Sequence, residues 1–220
     1  IMKLANSKFF ETLDFECGSQ TLVVENVELL RTIILQLKFQ INNKIGDFIL
    51  SDNDAILDIS KNILLITDVF EISSLSKQLK NKLQQYVESS YDNDALFQDV
   101  YDKLIEFGDD LINSAPYPLC FSQSLTKIDI IKMLDIQLEH NYSSLLEELI
   151  DYIDIFSQII KTKLFVFVSL RSFLTGEEFN NFLKIMDYKG IRVLLIERYL
   201  SLDNGINNNV HIIDKDLCVI

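Results

Sequence analysis

Runs composed almost entirely of apolar residues predict buried β-strands at three places along the chain. The runs are residues 63–67 (ILLIT), 164–168 (LFVFV) and 191–196 (IRVLLI). Because polar residues do not alternate with the apolar ones, each strand is expected to be covered on both faces, as strands inside parallel sheets are. We therefore predict at least three strands lying side by side, with helices on the faces of the sheet.

Two further segments rich in apolar residues, 9–15 and 21–25, flank the turn-like sequence CGSQ at residues 17–20. Two such segments joined by a short turn are typical of a β-hairpin. We predict an antiparallel pair at the edge of the sheet.

Residues 73–160 lack strand patterns and instead repeat apolar residues at the three- and four-residue spacing of amphipathic helices. One predicted helix carries Leu75, Leu79 and Leu83. A second carries a stripe formed by Leu96, Val100, Leu104, Phe107 and Leu111. The predicted fold is α/β: residues 1–72 and 161–220 form a domain with a mostly parallel sheet, and residues 73–160 form an inserted all-helical domain.

Helix boundaries are marked by capping signals. Thr175 and Glu178, and likewise Ser144 and Glu147, have the spacing of a capping box. Pro116 is expected to end the helix that contains the stripe.

The composition is that of a folded protein, with 48% hydrophobic residues and only 2 Pro and 6 Gly in 220 residues. The 3 Cys are odd in number and far apart, and there are 2 His, so neither a disulfide framework nor a structural zinc site is expected. These features favour a reducing cytoplasm. No leader sequence and no apolar run of membrane length is recognisable, so we expect neither secretion nor membrane insertion.

The net charge of −13 argues against broad attraction to nucleic acid. Charges are screened over about 8 Å at physiological ionic strength, so a segregated group of lysines can still attract phosphate. Two segments, 73–87 and 158–175, contain no acid. Their cations are Lys77, Lys80 and Lys82 in the first, and Lys161, Lys163 and Arg171 in the second.

The first of these segments is predicted to be helical, with Lys77, Lys80 and Gln84 on one face, opposite the leucines. Such a face would follow a DNA backbone through phosphate contacts without reading bases. A solvated helix face is the alternative interpretation.

Acidic residues at the ends of predicted strands suggest a different chemistry. Asp68, Glu197, Asp214 and Asp216 occupy such positions, and a cluster of carboxylates there would hold the metal ions of a nuclease. Solvated strand ends explain the same residues more simply in a chain with 33 acids. Nucleotide hydrolysis is not expected, because the sequence has neither GxxxxGK[ST] nor GxGxxG.

Three local sequences occur in a characteristic order: LLITD at 64–68, then the strand at 164–168 followed by SFLTGEE at 172–178, and IIDKDL at 212–217. With the helical insertion between the first two, nearly the whole chain resembles the Csn2 family, the CRISPR-associated spacer-acquisition proteins of type II-A systems.

The resemblance implies an α/β head with the strand order of phosphate-loop ATPases but no working nucleotide site, and a helical leg. It implies a homotetrameric ring whose lysine-lined hole takes double-stranded DNA from a free end, with calcium stabilising the ring. Family members act in spacer acquisition beside the CRISPR integrase pair and the effector nuclease. The family's acidic calcium ligands lie near the junction of head and leg. Residues 115–127 contain no acid, so Asp109, Asp110 and Asp129 are the nearest candidate ligands.

The function expected from these observations is that of a non-enzymatic ring that binds DNA ends, with Lys77, Lys80, Lys82, Lys161 and Lys163 as candidate phosphate contacts. Two alternatives remain open at this stage. One is a metal-dependent nuclease that uses Asp68 and Glu197, and the other is an adaptor that binds only proteins.

Overall fold

Two β-sheets organise the chain, of which a computed structural model describes residues 1–16, 18–72, 76–139, 141–199 and 209–218, without the side chains of residues 11 and 76–78. In chain order, the strands within these residues are β1 (Met2–Asn6), β2 (Phe10–Asp14), β3 (Gln20–Val24), β4 (Ile49–Asp52), β5 (Ala55–Leu57), β6 (Ile63–Ile66), β7 (Leu164–Val168), β8 (Arg192–Glu197) and β9 (Val210–Ile213). One sheet is parallel, in the order β6-β7-β8-β3-β9. The other is antiparallel, in the order β2-β1-β4-β5.

The three apolar runs form neighbouring strands, as predicted. β7 lies between β6 and β8, and its residues Leu164, Phe165, Val166 and Phe167 are all fully buried. Leu164 and Val166 belong to a core shared with the antiparallel sheet. On the opposite face, the Phe167 ring meets the Phe182 ring edge to face, with centroids 5.6 Å apart. Coverage on both faces explains why this strand has no polar alternation.

The predicted hairpin of residues 9–15 and 21–25 is wrong. β2 pairs with β1 instead, whereas β3 lies between β8 and β9 in the parallel sheet. Leu22, Val23 and Val24 are consecutive and all buried, which requires cover on both faces of the strand. An edge hairpin would leave one of these faces in water, so the burial of consecutive apolar side chains favours the interior position.

Within the same residues, the α-helices are α1 (Val27–Asn43), α2 (Ile59–Asn62), α3 (Ser76–Ser90), α4 (Asp94–Ser114), α5 (Lys127–Met133), α6 (Leu145–Ile155) and α7 (Gly176–Tyr188). A π-helical turn, Phe156–Ile160, follows α6, and a 3-10 turn, Leu170–Ser172, follows β7. In the described part of the chain, no helix combines the length and the apolar character needed to cross a membrane.

The predicted capping box is complete at the start of α7, whereas only one of its two hydrogen bonds forms at the start of α6. Thr175 accepts the Glu178 N–H, and the Glu178 carboxylate accepts the Thr175 N–H at 2.8 Å, a complete capping box. At α6, Ser144 accepts the Glu147 N–H, but the Glu147 carboxylate bonds the Ser143 N–H at 2.9 Å instead of Ser144. α4 ends at Ser114, before Pro116, as predicted.

The chain divides into two compact units. The first, called here the α/β unit, consists of Ile1–Ser74 and Asn141–Ile220, and the second, called the helical unit, consists of Leu75–His140. α6 belongs to the α/β unit, where Leu149, Tyr152 and Ile153 are buried and where it contacts α7. The sequence-based division placed residues 141–160 with the helical domain, so the two divisions differ over this segment.

The helical unit contains α3, α4 and α5, and α3 packs against α5. After α4 the chain returns along it: the Tyr101 hydroxyl donates to the Gln123 carbonyl at 2.6 Å. A Cβ on Gly108 would lie 2.5 Å from the Phe121 ring, so glycine is the residue that lets this ring pack on α4.

Candidate nucleic-acid interface

The parallel sheet brings two cations together at the edge where β6, β7 and β8 begin, called here the amino edge. Lys163 directly precedes β7, and Arg192 is the first residue of β8. Leu164 and Arg192 are partners in the register of the two strands. The two basic side chains therefore leave neighbouring strands at the same end of the sheet.

A polar cleft of about 410 Å³ lies at the amino edge. Lys163 and Arg192 line it together with Asp52 and the hydroxyl-bearing residues Ser157 and Thr162. Asp52 ends β4, so the cleft joins residues from both sheets. Ser157 comes from the π-helical turn, a type of backbone irregularity that is frequent at functional sites.

The cations of the cleft already have polar contacts. The Lys163 ammonium lies 3.0 Å from the Asp52 carboxylate. Arg192 donates from Nη1 to the Gly190 carbonyl at 3.0 Å, which uses one of the five N–H donors of the guanidinium. Lys161 is exposed and has a left-handed backbone with φ of 66°, where the π-helical turn ends.

Arg171 lies at the other end of β7 from Lys161 and Lys163. β7 has five residues, and at about 3.3 Å per residue these span about 16 Å. The acid-free segment 158–175 is therefore not one basic surface, since the strand separates its lysines from its arginine.

Arg171 belongs instead to the edge where the parallel strands end, called here the carboxyl edge. Its guanidinium lies over the Phe179 ring, 4.7 Å from the centroid. Its backbone N–H donates to the Glu197 carboxylate at 3.1 Å. Glu197 is 6% exposed, and burial raises the pKa of its carboxyl, although the N–H and the charge of Arg171 oppose this shift.

The strand-end acids do not converge on one point. β7 separates the β6 end, near Asp68, from the β8 end with Glu197, and β3 separates β8 from β9, near Asp214. Asp68 accepts the Phe70 N–H, and Asp214 accepts the N–H groups of Asp216 and Cys218. Among the residues that the structure describes, no group of three or more His, Cys, Asp and Glu side chains is arranged to hold a metal ion.

The connection from β3 to α1 has only two residues, Glu25 and Asn26. The Asn26 side chain caps the helix by accepting the Leu29 N–H at 3.0 Å. A loop that wraps a phosphate needs several backbone N–H groups turned towards the ligand. This strand-to-helix connection is too short for such a loop.

In the helical unit, Lys80 and Lys82 are exposed on α3. The Lys80 ammonium forms an ion pair with Asp135, the residue with positive φ that follows α5. The side chain of Lys77 lies outside the described residues. The prediction that Gln84 shares the exposed lysine face is wrong, because Gln84 is only 2% exposed.

One comparison with known proteins identifies the family. A family model described as CRISPR-associated protein (Cas_Csn2) matches residues 40–217, well over half of the chain. The chain belongs to this family. The resemblance noted in the sequence is thereby confirmed, and with it an association with CRISPR systems.

In this Csn2-family chain the three candidate calcium ligands lie on two helices. Asp109 and Asp110 are exposed on α4, and Asp129 is in the first turn of α5. The Asp129 carboxylate accepts the Thr126 N–H at 2.9 Å and also bonds the Thr126 hydroxyl. These hydrogen bonds lower the pKa of Asp129, so this carboxylate already serves as a helix cap. The assignment of calcium ligands remains a prediction.

The predicted apolar stripe on α4 exists, but α4 has no buried residue among those described. Leu96 is 52% exposed, Phe107 59% and Leu111 52%. This 21-residue helix thus leaves much of its apolar side exposed in this Csn2-family chain, although Leu96 and Val100 line an apolar cavity with Ile130 of α5.

Sequence reasoning missed Arg192, Asp52 and Asp135. Arg192 is the polar residue within the run IRVLLI, and its position at the start of a strand was the available signal. Asp52 lies 111 residues before Lys163, and no local pattern relates the two. Asp135 pairs with Lys80 across two helices of the unit, which only the packed structure reveals.

Proposed function

We propose that this chain is a cytoplasmic, non-enzymatic protein that forms a homotetrameric ring and binds the ends of double-stranded DNA without sequence specificity. In this role it would support spacer acquisition beside the CRISPR integrase pair and the effector nuclease, with calcium stabilising the ring. The observation that carries the proposal is the match to the Csn2 family over residues 40–217.

The fold supports binding rather than nucleotide chemistry. The parallel sheet offers a strand-to-helix connection at β3 and α1, which is where a phosphate loop would be expected, but Asn26 caps this helix with its own side chain. The strand-end carboxylates Asp68 and Asp214 are engaged by backbone N–H groups of their own turns.

The distribution of lysines supports contacts to the DNA backbone. Lys80 and Lys82 are exposed on α3, and Lys161 and Lys163 are exposed next to β7. Lysine ammonium groups bind phosphates as point charges and do not by themselves read sequence. Binding through such residues is expected to be independent of sequence and strongly dependent on salt.

The exposed stripe of α4 supports assembly. Phe107 and Leu111 are one helical turn apart, and both are more than half exposed. Contiguous apolar surface of this kind on a folded protein marks an interaction site. In a ring of identical subunits, the same helix of another copy would cover it.

A mobility-shift comparison of linear duplex with covalently closed circular DNA of the same sequence tests the proposal, with calcium or a chelator present and with light scattering to measure mass. We expect a tetramer that retains the linear DNA but not the closed circle. We also expect calcium to stabilise this tetramer. Equal retention of both forms would contradict threading from an end. Shortening of the linear DNA with Mg²⁺ or Mn²⁺ would contradict a non-enzymatic role.

Replacing the α3 lysines tests the phosphate contacts. The triple variant Lys77→Ala, Lys80→Ala, Lys82→Ala is expected to weaken binding to all sequences equally. Each lost contact should reduce the slope of log affinity against log salt by about 0.9. The matched control is Lys8→Ala, Lys38→Ala, Lys103→Ala, which removes the same charge at other exposed positions. If the two triple variants lost the same affinity for DNA, only the net charge of the protein would determine binding.

A further inference from the structure

We propose that the cleft at the amino edge is a phosphate-binding site formed by Lys163 and Arg192, and that Asp52 competes with the phosphate for Lys163. The assignment of this phosphate to the DNA backbone rests on the proposed function. The cleft itself and its occupation by Asp52 rest on the contacts of the α/β unit alone.

The two cations differ in a way that suits one phosphate group. Neighbouring parallel strands lie about 4.8 Å apart, and the register of Leu164 with Arg192 places Lys163 and Arg192 at adjacent strand starts. An ammonium offers a compact charge, whereas a guanidinium offers a planar pair of donors that matches two phosphate oxygens. The Gly190 carbonyl holds Nη1 of this guanidinium at 3.0 Å, which limits its movement before a ligand arrives.

The size and the remaining lining agree with such a ligand. A volume of about 410 Å³ lies within the range of about 300–1,000 Å³ that small-ligand sites occupy. It is sufficient for a phosphate with the sugar that carries it. Ser157 and Thr162 add hydroxyl groups, which donate to phosphate oxygens without adding charge.

Asp52 is placed where it opposes binding. Its carboxylate lies 3.0 Å from the Lys163 ammonium, and its side chain is 28% exposed. It ends β4 and is followed by Asn53 and Asp54, both with positive φ, in the turn to β5. A phosphate that approaches Lys163 must therefore displace or face a carboxylate held by a tight turn.

The ion pair contributes little to folding, as is general for salt bridges near the protein surface. Its effect on an arriving anion is larger. The carboxylate neutralises Lys163 and repels phosphate over the few ångströms at which unscreened charges interact most strongly. Removal of the charge at Asp52 is therefore expected to increase affinity for phosphate while leaving the fold intact.

The test measures fluorescence anisotropy of a labelled linear duplex with the full chain and its variants. Asp52→Asn is expected to bind DNA about fivefold more tightly, whereas Lys163→Gln and Arg192→Gln bind more weakly. The matched control is Asp47→Asn, which removes the same charge from another exposed ion pair, that of Asp47 with Lys8 at 2.6 Å. An equal gain in Asp52→Asn and Asp47→Asn would reduce the effect to net charge and overturn the proposal.

Calorimetric titration with inorganic pyrophosphate supplies a readout without DNA. The native chain should bind pyrophosphate, Asp52→Asn should bind it more tightly, and Arg192→Gln should bind it at least tenfold more weakly. If these results hold while no form of the protein retains DNA, the cleft takes a free phosphate compound and the proposed function fails. If pyrophosphate binding is absent, or is the same in all three proteins, the cleft is not a phosphate site, even if DNA binds elsewhere.

Discussion

The α/β unit and the helical unit use their apolar residues in opposite ways. In the α/β unit, β7 buries Leu164, Phe165, Val166 and Phe167 completely. In the helical unit, α4 has the longest apolar stripe predicted from the sequence and yet buries none of its described residues. The same amphipathic pattern that indicates a core-facing helix thus belongs here to a helix that leaves Phe107 and Leu111 more than half exposed.

The two units therefore differ in the source of their stability. The α/β unit gains its stability from burial inside one chain, at about 25 cal/mol for each Å² of apolar surface removed from water. The helical unit leaves such surface exposed on α4, so part of its potential stabilisation depends on what covers that surface. In the proposed ring, another subunit does so.

Replacing a buried and an exposed phenylalanine should have very different effects on stability. Phe167→Ala, in the α/β unit, should lower the free energy of unfolding by about 3–5 kcal/mol, because it opens a cavity between β7 and α7. Phe107→Ala, at a side chain that is 59% exposed, should change the free energy of the isolated subunit by about 0.5 kcal/mol or less. Urea unfolding at low protein concentration measures both. Similar losses would show that the contrast between the units is wrong.

The next effect concerns assembly. Phe107→Ser with Leu111→Ser removes two exposed apolar side chains from adjacent turns of α4, and should reduce the mass measured by light scattering and the concentration dependence of the melting temperature. The control is Asp99→Ser with Lys103→Ser, exposed residues of the same helix at the same spacing. If the control dissociates the assembly as readily as the apolar pair does, the stripe is not the interface.

The sequence predicted the centre of the α/β unit well, because the physical cause is local. The runs of β6, β7 and β8 have to be buried on both faces, and each run carries this information in its own residues. β3 follows the same rule with Leu22, Val23 and Val24, but the nearby turn sequence favoured a hairpin. The position of β3 between β8 and β9 depends on pairing with strands that come far later in the chain.

The candidate site was only partly predictable for the same reason. The absence of acids in residues 158–175 indicated Lys163, but the pairing of Lys163 with Asp52 and the nearby position of Arg192 arise from sheet topology. Arg171 was grouped with Lys163 because they are close in sequence, although β7 separates them. Likewise, the helical spacing placed Gln84 on the lysine face, and packing buries it instead.

The effects of pH are expected to be smaller still, and they compare a buried acid of the α/β unit with a helix-capping acid of the helical unit. Burial raises the pKa of Glu197 above its ordinary value of 4.5. The folded state therefore binds the proton more tightly than the unfolded state, and stability falls as pH rises from 4.5 through the raised pKa. Glu197→Gln should remove this loss, since the amide oxygen still accepts the Arg171 N–H while no buried charge forms.

The contribution of Asp129 to stability should depend on pH in the opposite direction. Its hydrogen bonds from Thr126 lower its pKa below the ordinary 3.8, so its contribution is present above pH 3.8 and is lost as pH falls through the lowered pKa. Asp129→Asn should therefore flatten the plot of unfolding free energy against pH on its acid side. Glu197→Gln should flatten the same plot above pH 4.5. Urea unfolding from pH 2 to 8 measures both. If both variants flattened the same side, the two carboxyls would share an environment, and the contrast between a buried strand-end acid and a helix-capping acid would fail.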